Sequence, residues 1–270
     1  MERISSRQNP LVQRFRELAR APGKGASTEW MLLDGHHLVE EAFASELDVE
    51  TVAFGERHLP GTLDALATRA AAAHARAVLV TDQVLAAMSP VQQSSGVVAI
   101  ARRQAASLEQ VFAERPPLLV LLDHVQDPGN LGAIIRTAEA CGASGVVAGE
   151  DAADPWGWKA LRGAMGSTFR LPVAARQPLE VVVSRLRDEG IRLLATVPRG
   201  GTPLPDCDLR SPSAILLGGE GHGLSHALAG PVDDCITIPM RPPVESLNVA
   251  VAAALILYEA SQQRRTVGPK

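Results

Sequence analysis

Only three cysteines occur in the 270 residues, Cys141, Cys207 and Cys235, with no CxxC pair and no histidine at metal-ligand spacing. A disulfide scaffold and a zinc site are therefore not expected, no other metal site is expected, and the natural setting is a reducing cytoplasm. No apolar run reaches the ~18 residues a spanning helix needs, AVAAALILY near the end included, so no membrane association is expected. The opening MERISSRQNP has no apolar core of the kind a secretory leader carries. An excess of one charge is missing too: 26 basic residues face 30 acidic ones, for a net charge of −4 and a pI near 6.0. That argues against a promiscuous polyanion binder and leaves room for a local basic patch. A G-x-x-x-x-G-K-[ST] phosphate loop, internal repeats and low-complexity tracts beyond an alanine bias are likewise absent.

What is present is a composition 46% hydrophobic, enough for a sizeable core and, at this length, for two domains more naturally than one. Residues 2–24 carry Arg3, Arg7, Arg14, Arg16, Arg20 and Lys24 against two acids, and Leu11, Val12, Phe15 and Leu18 repeat at helical spacing. The segment reads either as an amphipathic helix with a solvated basic face or as an RNA-backbone contact through residues such as Arg7, Arg14 and Lys24. From Trp30 to about Arg103, strands and helices alternate (WMLLDG, HLVEEAFAS, VETVAF, LDALATRAAAAHA, AVLV, DQVLAAMS, GVVAIA), which implies a small α/β domain over residues 1–103. Residues 104–117, ending in Pro116-Pro117, read as a linker. A second α/β domain then runs over residues 118–270. It opens with the βαβ unit LLVLLD, NLGAIIRTAEACG, GVVAG and continues through PLEVVVSRLRDEG, IRLLATV, SAILLGG, CITIPM and a last apolar helix. Its sheet is expected to be parallel.

Three segments break the core pattern, each just past the end of an expected parallel strand, where open α/β sheets bind ligands. In DPGNLGAIIR the stripe Leu131, Ile134, Ile135 and Ala138 is core, while Gly132 and Arg136 share another face. Spacing alone favours a surface Arg136–Glu139 pair there. In LLGGEGHGL the glycines permit a sharp turn or close approach to a ligand, but G-x-G-x-G with Glu220 inside the loop does not fit the G-x-G-x-x-G dinucleotide pattern. This weakens the reading as a nucleotide-dependent oxidoreductase. His222 reads as an exposed loop residue. In IPMRPPVESLNVAVAAALILYEA, Ser246 is expected to cap the final helix and Asn248 to fall inside its first turn, where asparagine is a poor choice unless it has work to do.

These motifs carry a resemblance. N-x-G-x-x-x-R-T-A (Asn130 to Ala138), L-G-G-E-G-x-G-L (Leu217 to Leu224) and I-P-M…S-L-N-V (Ile238 to Val249) stand in order, and the sequence resembles the SpoU (TrmH-like) RNA ribose methyltransferases of the SPOUT class over residues 118–262. LLDGHHLVEEAF with its basic arm is similar, more loosely, to the ribosomal-protein-like substrate-binding domain of many members. The resemblance implies a C-terminal α/β domain holding S-adenosylmethionine in a deep trefoil knot. It implies methyl transfer to a ribose 2′-hydroxyl without a metal, and a homodimer. It further implies that Gly218, Gly219, Ile238 and Leu247, assisted by Thr196, hold the cofactor. Arg136 would bind the RNA phosphate, Glu220, Ser246 and Asn248 would orient it and the ribose, and Asn130 would fix the first loop. Where the family usually has glycine this chain has Pro242, whose φ is fixed near −65°. The leading front domain tilts the substrate toward ribosomal RNA. Transfer RNA, and a non-catalytic RNA-binding protein on the same fold, are the alternatives.

Overall fold

The structure, a computed structural model, describes residues 1–20, 29–58, 61, 63–219, 223–225, 228, 230 and 232–265. The expected Lys24, Glu220 and His222 lie outside the described residues. The chain divides into two compact units, one of residues 1–104 with 156–170, the other of residues 105–155 with 171–270.

The first unit runs β1 (Glu2–Ile4), α1 (Pro10–Arg20), β2 (Trp30–Asp34), α2 (His36–Ala44), β3 (Val49–Gly55), α3 (Asp64–Ala72), β4 (Arg76–Val80), α4 (Asp82–Met88) and β5 (Val97–Arg102). Its sheet order is β1-β4-β3-β5-β2, with β5 antiparallel to both β3 and β2. On α1 the spacing works as expected: Leu11, Val12, Phe15 and Leu18 are buried, each contributing roughly 1.5–3 kcal/mol by leaving water. Residues 156–170, far along the chain, belong to this unit and form α7 (Trp158–Ala164) and α8 (Ser167–Arg170). Helix α7 packs on β2, an edge strand whose open side would otherwise invite pairing with another chain. Arg162 reaches the buried Asp34 at 3.1 Å, and Ser89 donates to the other oxygen of that carboxylate at 2.6 Å. Burial still pushes the Asp34 carboxyl above its ordinary pKa, against the opposing effect of these two partners.

The second unit runs α5 (Leu108–Val111), β6 (Leu118–Asp123), α6 (Pro128–Ala140), β7 (Gly145–Gly149), β8 (Val173–Gln177), α9 (Leu179–Asp188), β9 (Arg192–Thr196), β10 (Thr202–Pro203), β11 (Ser213–Gly218), β12 (Asp234–Thr237) and α10 (Val249–Arg265). Residues 104–117, expected as a linker, include α5, capped by a reciprocal Ser107–Gln110 box, and bury Val111 and Phe112 in the core of this unit. All pairings of the seven strands are parallel, in the order β10-β12-β9-β11-β6-β7-β8. The apolar runs LLVLLD and GVVAG are buried throughout, as strands covered on both faces must be. From β6 the chain builds outward through β7 and β8, then β9 starts on the other side of β6, and β11 fills the gap between them. That reversal is the switch point of the sheet.

The last helix is fastened by its own C-terminal turn. Arg264 donates to four carbonyls: Leu209 (2.8 Å), Pro116 (3.0 Å), Pro117 (3.0 Å) and Ser211 (2.9 Å). Burial lowers its pKa, with Asp208 acting in the opposite direction. Arg264→Met keeps much of the aliphatic stem but leaves the four carbonyls without this donor. Urea unfolding is expected to show a loss of roughly 2–4 kcal/mol, and a change within error would remove this guanidinium from the account of stability.

Candidate functional site

A cleft of about 530 Å³ opens where β9, β11 and β12 end. Its walls come from Thr196–Pro198 at the end of β9, Leu217–Gly219 at the end of β11, Ile238 and Met240 after β12, and the approach to α10 from Ser246 to Val249. Every residue expected to hold a cofactor, Thr196, Gly218, Gly219, Ile238 and Leu247, lines it, and so do Ser246 and Asn248. The walls are mostly aliphatic, with Thr196, Ser246 and Asn248 as the polar side-chain residues among them, the pattern of a small-ligand site. Thr196 turns its hydroxyl to the Leu216 carbonyl at 3.1 Å, joining β9 to β11 at the floor.

The glycine loop leaves little freedom. Gly219 and Gly223 exchange backbone hydrogen bonds at 3.2 and 3.1 Å, and Gly223 has φ +66°. A Cβ on Gly219 would meet the His124 carbonyl oxygen at 2.2 Å, so only glycine allows the loop to pack this closely on the end of β6.

The entrance to α10 differs from the expectation. The cap is Asn248: its Oδ1 accepts from the backbone N–H of Ala250 (2.9 Å) and Val251 (3.2 Å). Ser246 is exposed and makes no cap, because the helix starts at Val249 and Ser246 stands too far upstream. The Asn248 Nδ2 donates to Oδ1 of Asn130 at 3.1 Å, tying the cap of α10 to the first turn of α6. Asn130 is held in turn by Asp127, which caps α6 and accepts its backbone N–H at 2.8 Å. The strand read in CITIPM stops at Thr237, since Pro239 has no N–H for a ladder. Pro242 and Pro243 are exposed and do not line the cleft.

Arg136 lies outside the cleft lining. It is exposed on α6 and makes no hydrogen bond or ion pair among the described residues, so the Arg136–Glu139 pair suggested by spacing does not form. Gly132, one turn earlier, is buried. Of the expected RNA-contacting residues, Arg7 is exposed, whereas Arg14 bonds Glu50 at 2.5 Å and stacks on Trp30, with 5.1 Å to the ring centre.

Sequence reasoning missed a cluster beside the glycine loop. His124, at φ +57°, sits between two carboxylates, with Nδ1 2.5 Å from Asp123 and Nε2 3.2 Å from Asp151. The other Asp123 oxygen accepts the Ser225 backbone N–H at 2.7 Å. Both partners of the ring accept only, so both contacts are hydrogen bonds when the ring carries two protons. The available signal was an acid at a strand end followed by a histidine. His124→Asn suits the left-handed backbone but cannot bridge the two acids. It is expected to weaken ligand binding in the cleft about fivefold, one hydrogen bond's worth, by calorimetry. Unchanged affinity would confine His124 to a passive role.

A parallel α/β unit with a glycine-walled cleft at its switch point defines a protein that binds a small ligand at its strand ends. Comparison with known proteins makes this specific. The model of the SpoU rRNA Methylase family matches residues 117–258, and that of the MRM3-like substrate binding domain matches residues 2–99. The chain belongs to the SpoU methylase family. It is 36% identical to an uncharacterized tRNA/rRNA methyltransferase of Synechocystis sp., covering 97% of this chain and 94% of that protein. It is 33% identical to the Bacillus subtilis 23S rRNA (guanosine(2553)-2′-O)-methyltransferase RlmP, covering 96% and 98%. Among solved structures it resembles an AdoMet-bound rRNA methyltransferase of Sinorhizobium meliloti (TM-score 0.85, 28% identity, 99% of both chains). It also resembles the SpoU methyltransferase AviRb of Streptomyces viridochromogenes with AdoMet (TM-score 0.83, 30% identity, 96% and 100%). Among the described residues no helix is long and apolar enough to cross a membrane, and no group of side chains is arranged to hold a metal ion.

Proposed function

We propose that this protein transfers a methyl group from S-adenosylmethionine to a ribose 2′-hydroxyl of ribosomal RNA in the cytoplasm. The observation that carries the reading is the cleft. Residues from two separated motifs, together with Thr196 at the end of β9, all chosen from sequence as cofactor neighbours, meet in one concavity at the strand ends, and Gly219 has no room for a Cβ. Such a cradle suits an adenosine group, whose edges backbone N–H and C=O groups can meet between aliphatic walls.

The bound cofactor supplies the methyl carbon on a sulfonium leaving group; the 2′-oxygen forms the new C–O bond, the C–S bond breaks with its electron pair kept by sulfur, and S-adenosylhomocysteine is released. The chain's own residues handle the RNA. Arg136, which makes no ion pair among the described residues, binds the phosphate beside the target ribose and stabilises the developing alkoxide. It does not act as a base, because a guanidinium keeps its proton; the hydroxyl proton leaves to phosphate or water. Asn130 and Asn248, bonded together, and Ser246 orient the ribose at the cleft mouth, and Glu220 serves the same network. Arg7 and Lys24 contribute to RNA attraction.

Two structural expectations belong to the same proposal. The first is the trefoil knot, supported by the insertion of β11 between β6 and β9, both laid down earlier in the chain. The second is a homodimer: α10 exposes Val251, Leu255 and Tyr258 along one stripe, an apolar face of the kind a second copy covers, and Arg136 lies outside its own chain's cleft lining. Sedimentation equilibrium at the mass of one chain would remove the dimer.

The test is tritiated-methyl transfer from S-adenosylmethionine to total bacterial RNA, followed by fractionation and nuclease digestion to locate the label. A 2′-O-methylated nucleoside in the ribosomal fraction is expected. Label confined to transfer RNA would replace the substrate, and no label with no calorimetric binding of S-adenosylmethionine would leave a non-catalytic RNA-binding protein.

A further inference from the structure

The cations of the first unit are unevenly used. Helix α1 carries Arg14, Arg16 and Arg20 against Glu17 alone, and residues 156–170 carry Lys159, Arg162 and Arg170 with no acid, on a chain whose net charge is −4. Half of these cations are neutralised: Arg14 by Glu50, Arg162 by Asp34 and Arg170 by Glu41. Arg16, Arg20 and Lys159 bond to no carboxylate among the described residues.

Two of these cations line one cleft, and the third stands over the ring of its aromatic wall. Arg16 and Arg20 line a cleft of about 310 Å³ with Trp158 and the end of α4 at Met88, Ser89 and Pro90. The Lys159 ammonium stands 5.4 Å from the centre of the Trp158 ring, and the Trp158 Nε1 donates to the Ala19 carbonyl at 3.2 Å, so α7 is fixed against the last turn of α1. Arg16 and Arg20 are i,i+4 neighbours of like charge, an arrangement that weakens a helix unless an anion relieves it. An indole wall beside two arginines that bond to no carboxylate among the described residues, with a lysine over the ring, matches the chemistry of a nucleic-acid strand, in which phosphates bind the charges and a ribose or unstacked base packs on the aromatic side chain.

We propose that the cleft between α1 and α7 binds the sugar–phosphate backbone of the RNA substrate, with Arg16, Arg20 and Lys159 neutralising phosphates and Trp158 as the packing wall. The proposal rests on the reading above that RNA is the substrate. It assigns residues 156–170, which fall within the methylase-family match yet fold with the first unit, to the substrate-binding surface. It also moves the arginine contribution of α1 from the paired Arg14 to Arg16 and Arg20.

The test combines Arg16→Gln, Arg20→Gln and Lys159→Gln in the full chain. Binding of a labelled 20-nucleotide single-stranded RNA is followed by anisotropy over a range of potassium chloride concentrations, beside methyl transfer to total bacterial ribosomal RNA. Each lost phosphate contact reduces the slope of log affinity against log salt by about 0.7, so a reduction of about two is expected, with at least roughly a tenfold rise in KM for ribosomal RNA. The turnover number at saturating RNA and the affinity for S-adenosylhomocysteine stay at wild-type values, which also shows that the variant is folded. A triple variant with the wild-type salt slope and KM overturns the cleft while leaving the methyltransferase reading intact. A wild-type protein that neither binds the oligonucleotide nor labels any RNA overturns the RNA reading, and the cleft assignment with it.

Discussion

Arg136→Ala lowers the turnover number for methyl transfer to ribosomal RNA by about two to three orders of magnitude, the usual cost of removing one preorganised electrostatic partner of a developing oxyanion. The affinity for S-adenosylmethionine stays as it is, because Arg136 does not line the cleft at the strand ends. Stability also stays close to wild type: the side chain is exposed and holds no hydrogen bond or ion pair among the described residues, so its removal leaves no buried partner stranded. Arg136→Lys is expected to recover only part of the rate, since an ammonium replaces the planar fork that grips a phosphate on two oxygens. The measurement is single-turnover methyl transfer at saturating cofactor. An alanine variant that turns over at the wild-type rate would remove Arg136 from the reaction.

Gly219→Ala acts on the opposite half of the site. The new Cβ would stand 2.2 Å from the His124 carbonyl oxygen and 2.8 Å from its carbonyl carbon, so it meets backbone that cannot swing aside. His124 is itself held by Asp123 and Asp151 and cannot retreat without breaking those contacts. The glycine loop must therefore shift, and overpacking of this kind costs about 1–3 kcal/mol, or roughly ten- to a hundredfold in ligand affinity where the loop is the wall. Calorimetric titration with S-adenosylhomocysteine measures it. Gly223→Ala is the comparison: nothing among the described residues lies within 4 Å of its added Cβ, and there the left-handed φ of +66° is what penalises it. The expected order is Gly219→Ala much worse than Gly223→Ala. Equal effects would show that backbone conformation, not the close approach to His124, shapes the loop.

The parallel sheet and its ligand-bearing ends were readable from local pattern. Buried parallel strands are short apolar runs, and α6 announces its core face through Leu131, Ile134, Ile135 and Ala138, all buried. The segments that escaped lack such a pattern. Strand β1 is three residues long, β8 ends in the polar pair Arg176 and Gln177, and α7 lies among Gly157, Gly163 and Gly166, so neither period stands out.

Other decisions belonged to long-range contacts. Ser246 and Asn248 both have the chemistry of a helix cap, and the sequence pointed to Ser246; the structure makes Asn248 the cap, and its bond to Asn130, 118 residues away, accompanies that choice. Residues 156–170 lie within the methylase half of the chain but fold with the first unit, where α7 packs on the edge strand β2. The same holds for charge. Composition shows how many arginines α1 carries, but Glu50, distant in sequence, neutralises Arg14 and leaves Arg16 and Arg20 for other work. Hydrophobic periodicity is a local quantity, and it specified most of the helices and strands and the ends at which the cleft lies. Which polar group caps, pairs or stays free depends on partners brought together only when the chain closes on itself, and the tertiary structure alone settled it.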